Sequence, residues 1–248
     1  MKLYGLIGEK LEHSFSKNFF TEKFEKEGID AQYELYELPQ ITEFPTLLAN
    51  NEFYGLNVTF PYKEKVMDYI DQMDPEALEI GAINTIRFKR RGGRVNTKGY
   101  NTDVIGFTNS IRPLLQPHHK HALILGTGGA SKAIRFALNK LGIDCQLVSR
   151  HAQDFPCAIN YHQLTQEVME KHEIIVNCSP LGMYPRVDVA PSIPYQLLNQ
   201  RHLLFDLVYN PENTLFCQLG REHGATVKNG LEMLHGQALA SWHIWNKD

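Results

Sequence analysis

Ala122-Leu123-Ile124-Leu125-Gly126-Thr127-Gly128-Gly129-Ala130-Ser131 is the stretch on which the fold turns. A short apolar run of strand length passes directly into a glycine-rich loop, and residues 132–141 continue with helical character. Glycines at this junction let the backbone turn tightly and come close to a pyrophosphate. The start of the helix adds N–H groups without intrahelical partners and the positive end of the helix dipole. A glycine turn between strand and helix can serve structure alone. Its placement here favours a dinucleotide-binding loop, with Gly126, Thr127, Gly128, Gly129 and Ala130 as cofactor contacts.

About 20 residues past such glycines, a unit that prefers NAD places Asp or Glu to hold the ribose 2′-hydroxyl. This chain has Ser149-Arg150-His151 at that point and no acid. An arginine there can meet a 2′-phosphate through charge-assisted hydrogen bonds, so NADP is the expected cofactor, with Ser149 and Arg150 beside it. The plainer use of Arg150 is a solvated charge at a strand end.

Outward from the loop, apolar runs at 145–148, 174–177 and 203–207 alternate with helical or loop-like segments, which gives a parallel-sheet pattern. An amphipathic stretch at 103–115 and a polar linker at 116–120 precede it. Upstream, strand-like segments at 2–8, 31–36 and 55–58 alternate with helical ones at 16–27 and 41–49. That rhythm predicts a second, mostly parallel sheet covered by helices, with ligands near the carboxyl ends of its strands. The expected fold is therefore α/β with two units. At the end of the chain, Leu231, Leu234, Ala238 and Trp242 have helical spacing and predict a helix with one face on a core.

Composition limits the function. The 248 residues are 43% hydrophobic and 21% charged with a net charge of −3, an ordinary globular balance that gives no reason to expect nucleic acid. Lys89-Arg90-Arg91 runs into Gly92-Gly93 and reads as a hairpin tip with solvated charges. Cys145, Cys157, Cys178 and Cys217 lack ligand or redox spacing, so no metal is expected and a reducing compartment is. With neither a leader-like start nor a stretch long enough to span a bilayer, a cytoplasmic protein without membrane partners is expected.

Polar turns stand at the predicted strand ends of the first unit. Asn57-Val58-Thr59-Phe60-Pro61-Tyr62-Lys63 leaves a strand and breaks at proline, and Gly81-Ala82-Ile83-Asn84-Thr85 and Gly99-Tyr100-Asn101-Thr102-Asp103 are glycine-led. Taken singly, each is an ordinary use of Asn or Asp in a turn, and Lys63 an ordinary surface charge. Together with His13-Ser14-Phe15-Ser16, these segments resemble the shikimate dehydrogenase family. The resemblance continues through Asn177-Cys178-Ser179-Pro180-Leu181-Gly182-Met183, Asp206-Leu207-Val208-Tyr209-Asn210-Pro211, and Asn229-Gly230-Leu231-Glu232-Met233-Leu234 with Gln237.

The resemblance implies an NADP-dependent oxidoreductase that interconverts 3-dehydroshikimate and shikimate, as a monomer or homodimer. Ser14, Ser16 and Tyr209 would hold the substrate carboxylate, and Asn57, Thr59, Asn84, Asp103 and Gln237 the ring hydroxyls. Lys63 and Asp103 would be the catalytic pair, and Leu207 and Gly230 would join the cofactor contacts. It also implies a substrate domain of residues 1–101, to which the helix at 231–248 returns, and a Rossmann-like domain at 102–230. One departure stands out: NADP-using members often carry a further basic residue shortly after the arginine, whereas here Asp154 follows with no second Lys or Arg nearby. Two alternatives remain, a quinate/shikimate dehydrogenase with broader substrate and cofactor use and a non-catalytic NADP-binding sensor.

Overall fold

The computed structural model describes residues 1–11 and 14–247, so His13 of the first motif lies outside the described residues. The chain forms two compact units, Met1–Thr102 with Ala238–Asp248, and Asp103–Gln237.

The first unit runs β1 (Lys2–Gly8), α1 (Phe15–Glu27), β2 (Ala31–Glu37), α2 (Phe44–Asn50), β3 (Phe53–Val58), β4 (Gln72–Met73), α3 (Pro75–Ile80), β5 (Thr85–Arg91) and β6 (Arg94–Tyr100). Its sheet has the order β2-β1-β3-β5-β6-β4. Three of its five pairings are parallel, and β5 is antiparallel to both β3 and β6. The sheet is thus mixed, for a local reason. Gly92 and Gly93, with φ of 56° and 78°, form the two-residue turn expected from the sequence, and so short a connection can only reverse the chain.

Alternation along β1 sends Tyr4 and Leu6 to one face and Ile7 to the other. Tyr4 and Leu6 join Phe20, Phe24, Tyr33 and Trp245, while Ile7 joins Phe44, Leu56, Tyr62, Val66 and Ile86. Trp245 Nε1 donates to the Ile86 carbonyl at 3.0 Å, and a Cβ on Gly55 would fall 2.3 Å from that nitrogen. Glycine at 55 is the condition for this indole to lie flat on the sheet.

The second unit comprises α4 (Asp103–Ile111), β7 (His121–Leu125), α5 (Gly129–Lys140), β8 (Asp144–Val148), α6 (Gln166–Lys171), β9 (Ile174–Asn177), β10 (Leu203–Asp206), α7 (Leu215–Glu222), β11 (Thr226–Lys228) and the start of α8 (Leu231–Trp245). Its sheet is wholly parallel in the order β11-β10-β9-β7-β8. Beyond β8 a single parallel bridge joins Val148 to Ile159, where Ser149 N–H donates to the Ile159 carbonyl at 2.9 Å. Counting that bridge as a vestigial strand, the order is the 3-2-1-4-5-6 of the doubly wound dinucleotide fold, with the order reversing between β7 and β9.

The units divide at 102/103 and 237/238, whereas 101/102 and 230/231 were expected. The first turns of α8 stay with the second unit because they lie against α4. A Cβ on Gly106 would fall 2.3 Å from the Met233 carbonyl oxygen, and one on Gly236 would fall 3.1 Å from Gly106 Cα. Among the described residues no helix is long and apolar enough to cross a membrane.

Candidate active site

In the first unit, β1, β3 and β6 end, and β5 begins, at one edge of the sheet, and Asn57, Thr59 and Asn84 stand there. Ser14 caps α1 and accepts from Lys17 N–H at 3.4 Å, and Ser16 lies buried one residue into the helix. Thr59 follows β3 directly, and its N–H donates to the Ile7 carbonyl at 2.9 Å. Lys63 sits on a pinned loop: Tyr62 is buried and donates its hydroxyl to the Leu38 carbonyl at 2.5 Å, while the Lys63 carbonyl accepts from Ile83 N–H at 2.8 Å. The half-buried Lys63 side chain therefore starts from a fixed backbone.

Asn57 and Asn84 form the centre of a buried network. Asn57 Nδ2 donates to the Asn84 carbonyl at 3.1 Å and lies 3.0 Å from Ser241 Oγ, and its Oδ1 accepts from the Tyr33 hydroxyl at 2.8 Å. Thr85 Oγ1 is 2.7 Å from Ser241 Oγ and 3.2 Å from Thr102 Oγ1. Asn84 Oδ1 accepts from Thr102 N–H at 2.7 Å, which fixes the orientation of its amide. Asn57 has partners inside the protein at both ends of its amide, so it also holds Asn84 and its neighbours in place. Burial drives the Tyr33 phenol pKa far up, with a hydrogen bond from Ser16 pulling the other way, and this ties the network to the carboxylate end of the expected site.

Tyr33 and Ser241 stand in no motif that sequence reading could single out, whereas Thr85 and Thr102 stand beside Asn84 and Asp103 in the glycine-led turns. The buried line of α8 is Met233, Gln237, Ala238, Ser241 and Trp245, two of them polar. Hydropathy spacing selected Leu231, Leu234, Ala238 and Trp242, of which Ala238 is on this buried line and Trp242 packs against the same core cluster.

In the second unit, α5 begins within the glycine loop rather than after it. Gly126 has φ +122°, and a Cβ there would fall 3.3 Å from the Cys178 carbonyl carbon, so the loop after β7 presses on the loop after β9. Gly128 opens α5 without a side-chain cap, and a Cβ on it would meet nothing within 4 Å. Open space before uncapped N–H groups suits a pyrophosphate, so these residues fit the expected cofactor. Ser149 is buried and accepts from His151 N–H at 3.1 Å, while Arg150 is exposed, with its carbonyl accepting from Asn160 Nδ2 at 3.3 Å.

The strand ends nearer β11 interlock. Leu207 N–H donates to the Asn177 carbonyl at 3.0 Å, and Gly230 N–H to the Val208 carbonyl at 3.2 Å. A Cβ on Gly230 would fall 2.2 Å from the Leu207 oxygen, so only glycine fits beside that turn. Tyr209 follows, half-buried. Asp103 begins α4, one turn before Gly106, and Gln237 follows Gly236, so both stand on helices in backbone contact, and both are buried.

The sequence-derived family and this geometry agree with comparison to known proteins. Residues 6–86 match the shikimate dehydrogenase substrate binding domain. A shikimate dehydrogenase (NADP(+)) of Clostridium beijerinckii is 38% identical, with 100% of this chain and 93% of that protein covered. The chain belongs to the shikimate dehydrogenase family. Among solved structures, shikimate dehydrogenase 1 of Peptoclostridium difficile is 37% identical with a TM-score of 0.84, covering 99% of this chain and 91% of that one. The Thermus thermophilus enzyme in complex with NADP(H) and shikimate is 28% identical with a TM-score of 0.85, covering 99% and 94%.

Proposed function

We propose that this chain catalyses the reversible NADP-dependent reduction of 3-dehydroshikimate to shikimate, a step towards chorismate and the aromatic amino acids. The observation that carries the proposal is the presence in one chain of a 3-2-1-4-5-6 cofactor sheet, with its glycine loop and Arg150, and a unit matched to the family's substrate binding domain. Gly126, Thr127, Gly128, Gly129 and Ala130 would hold the pyrophosphate, Ser149 and Arg150 the 2′-phosphate end, and Leu207 and Gly230 the far end of NADP. When bound, NADP supplies the hydride acceptor for alcohol oxidation and, reduced, the donor for ketone reduction.

The chain's own residues manage the substrate and its proton. Ser14, Ser16 and Tyr209 hold the carboxylate; Asn57, Thr59, Asn84, Asp103 and Gln237 meet hydroxyls, and Asn57 also supports Asn84 from within the sheet. In oxidation Lys63 takes the proton from the reacting hydroxyl; in reduction its ammonium returns a proton to the developing alkoxide. The Asp103 carboxylate favours the charged lysine and orients it. A non-catalytic sensor would have no use for Lys63.

The ligand is a small molecule, and every proposed residue lies in one chain, so monomer and homodimer would serve equally. A cytoplasmic setting belongs to the same proposal, since Cys145, Cys157, Cys178 and Cys217 are free thiols. Absorbance at the nicotinamide wavelength tests the function: NADP+ reduction that depends on added shikimate is expected, and its absence at high enzyme concentration would refute the reading.

A further inference from the structure

Asp206 ends β10 and takes no part in the roles assigned above. Its carboxylate is fully buried and accepts three hydrogen bonds: from Thr214 Oγ1 at 2.6 Å, Asn177 Nδ2 at 2.9 Å and Val208 N–H at 3.0 Å. Each serves the ionised form. Thr214 Oγ1 in turn caps α7 by accepting from Cys217 N–H at 3.3 Å, so its own proton is directed at Asp206. Among the described residues the carboxylate has no cationic partner. A buried charge held by donors but not neutralised is costly, and one compensation is a cation that arrives with a ligand.

Topology indicates which ligand end lies here. The glycine loop after β7 and Arg150 after β8 define the half of the sheet that would take the 2′-phosphate nucleotide. The other half, β9 to β11, is then left for the nicotinamide nucleotide. Asp206 stands at the carboxyl end of its middle strand, directly before Leu207. The oxidised nicotinamide ring is cationic, and hydride transfer abolishes that charge. A fixed negative charge at this end therefore interacts differently with the two redox forms.

We propose that the Asp206 carboxylate is a specificity determinant that favours NADP+ over NADPH, resting on the reading that this chain binds NADP. Other titratable groups around it do not compete for the role. Burial pushes the thiols of Cys178 and Cys217 and the phenol of Tyr195 well up, so all three stay neutral at physiological pH; the Asp103 carboxylate, which also acts on Cys178, remains in every variant below. Asp206 is itself pushed up to about 6 by burial, against the pull of its three donors, so it is ionised at neutral pH.

The test is the dissociation constant of NADP+ and of NADPH, measured by calorimetry without substrate, for the wild type, Asp206→Asn and Thr214→Val. Asp206→Asn keeps shape and removes charge, and should weaken NADP+ about tenfold while moving NADPH less than about twofold. Thr214→Val removes a donor that favours the ionised carboxylate, so it is compared at pH 8.5, where Asp206 keeps its charge, and there it should shift both forms alike. Equal weakening of both forms by Asp206→Asn, or no change in either, overturns the proposal. Should that variant fail to fold, the wild-type ratio of the two constants is followed from pH 7.5 to 5. The preference for NADP+ should decline as Asp206 protonates, because the 2′-phosphate is common to both forms, and a flat ratio overturns the proposal. Failure of the wild type to bind either form would instead sink the NADP reading, and this inference with it.

Discussion

Ser241 Oγ lies 3.0 Å from Asn57 Nδ2, across 184 positions of sequence. One is on the last helix and the other on β3, and both are buried. Asn57→Leu would strand the Tyr33 hydroxyl and leave Ser241 and Thr85 short of a donor, so it should cost about 1–3 kcal/mol of stability. Ser241→Ala should cost less, because Asn57 keeps the Asn84 carbonyl and Thr85. Urea denaturation of the two variants checks the order, and an unchanged midpoint for Asn57→Leu would contradict the network.

Lys63→Met keeps most of the side-chain volume and removes the proton donor. With the loop still pinned through Tyr62, kcat should fall about 10²–10⁴-fold with little change in the KM for shikimate. Asp103→Asn should also lower kcat and raise KM further than the lysine change does. The double variant should be markedly non-additive, as expected for groups acting together. Near-normal kcat in Lys63→Met would return Lys63 to a surface charge.

Arg150→Ala should raise the KM for NADP and leave the weaker NAD turnover nearly unchanged, because only NADP carries the 2′-phosphate. Loss of one charge-assisted contact corresponds to about 1.5–3 kcal/mol. An equal effect on both cofactors would make Arg150 structural.

Acid should destabilise the protein through histidines kept neutral. His119 Nδ1 accepts from Gln116 N–H at 3.0 Å, so protonation there forfeits that bond, and burial lowers the pKa of both His119 and His172. The unfolded chain then binds more protons than the folded one just below the ordinary histidine value of about 6.5, so this stability is full above that pH and lost as pH falls. Asp206 works in the opposite sense, gaining stability as pH falls below about 6. His119→Gln should therefore lose less stability between pH 7 and 5.5 than the wild type in urea melts. An equal loss would exclude His119 as a source.

The parts of this structure legible in the sequence were those encoded locally. The strand, glycine loop and helix around Gly126–Ser131, and the Gly92-Gly93 hairpin, are decided by neighbours along the chain. The third strand of the cofactor sheet escaped because it is one bridge at Ile159, too short to leave an alternating pattern. The buried network around Asn57 escaped because Tyr33, Asn84 and Ser241 come from three distant segments, and a serine on a helix gives no sign of what it faces. Asp206 stood in a recognised motif, yet its isolation as a buried charge emerges only once Asn177 and Thr214 are placed beside it.

The most direct test of the central claim is kcat/KM for shikimate and for quinate, each with NADP+ and NAD+, on the wild-type chain. Shikimate with NADP+ should exceed every other combination, because the proposed polar set is matched to the hydroxyls of shikimate and Arg150 would address the 2′-phosphate. Quinate turned over as efficiently as shikimate, or NAD+ used as well as NADP+, would contradict the assignment and favour the broader quinate/shikimate dehydrogenase.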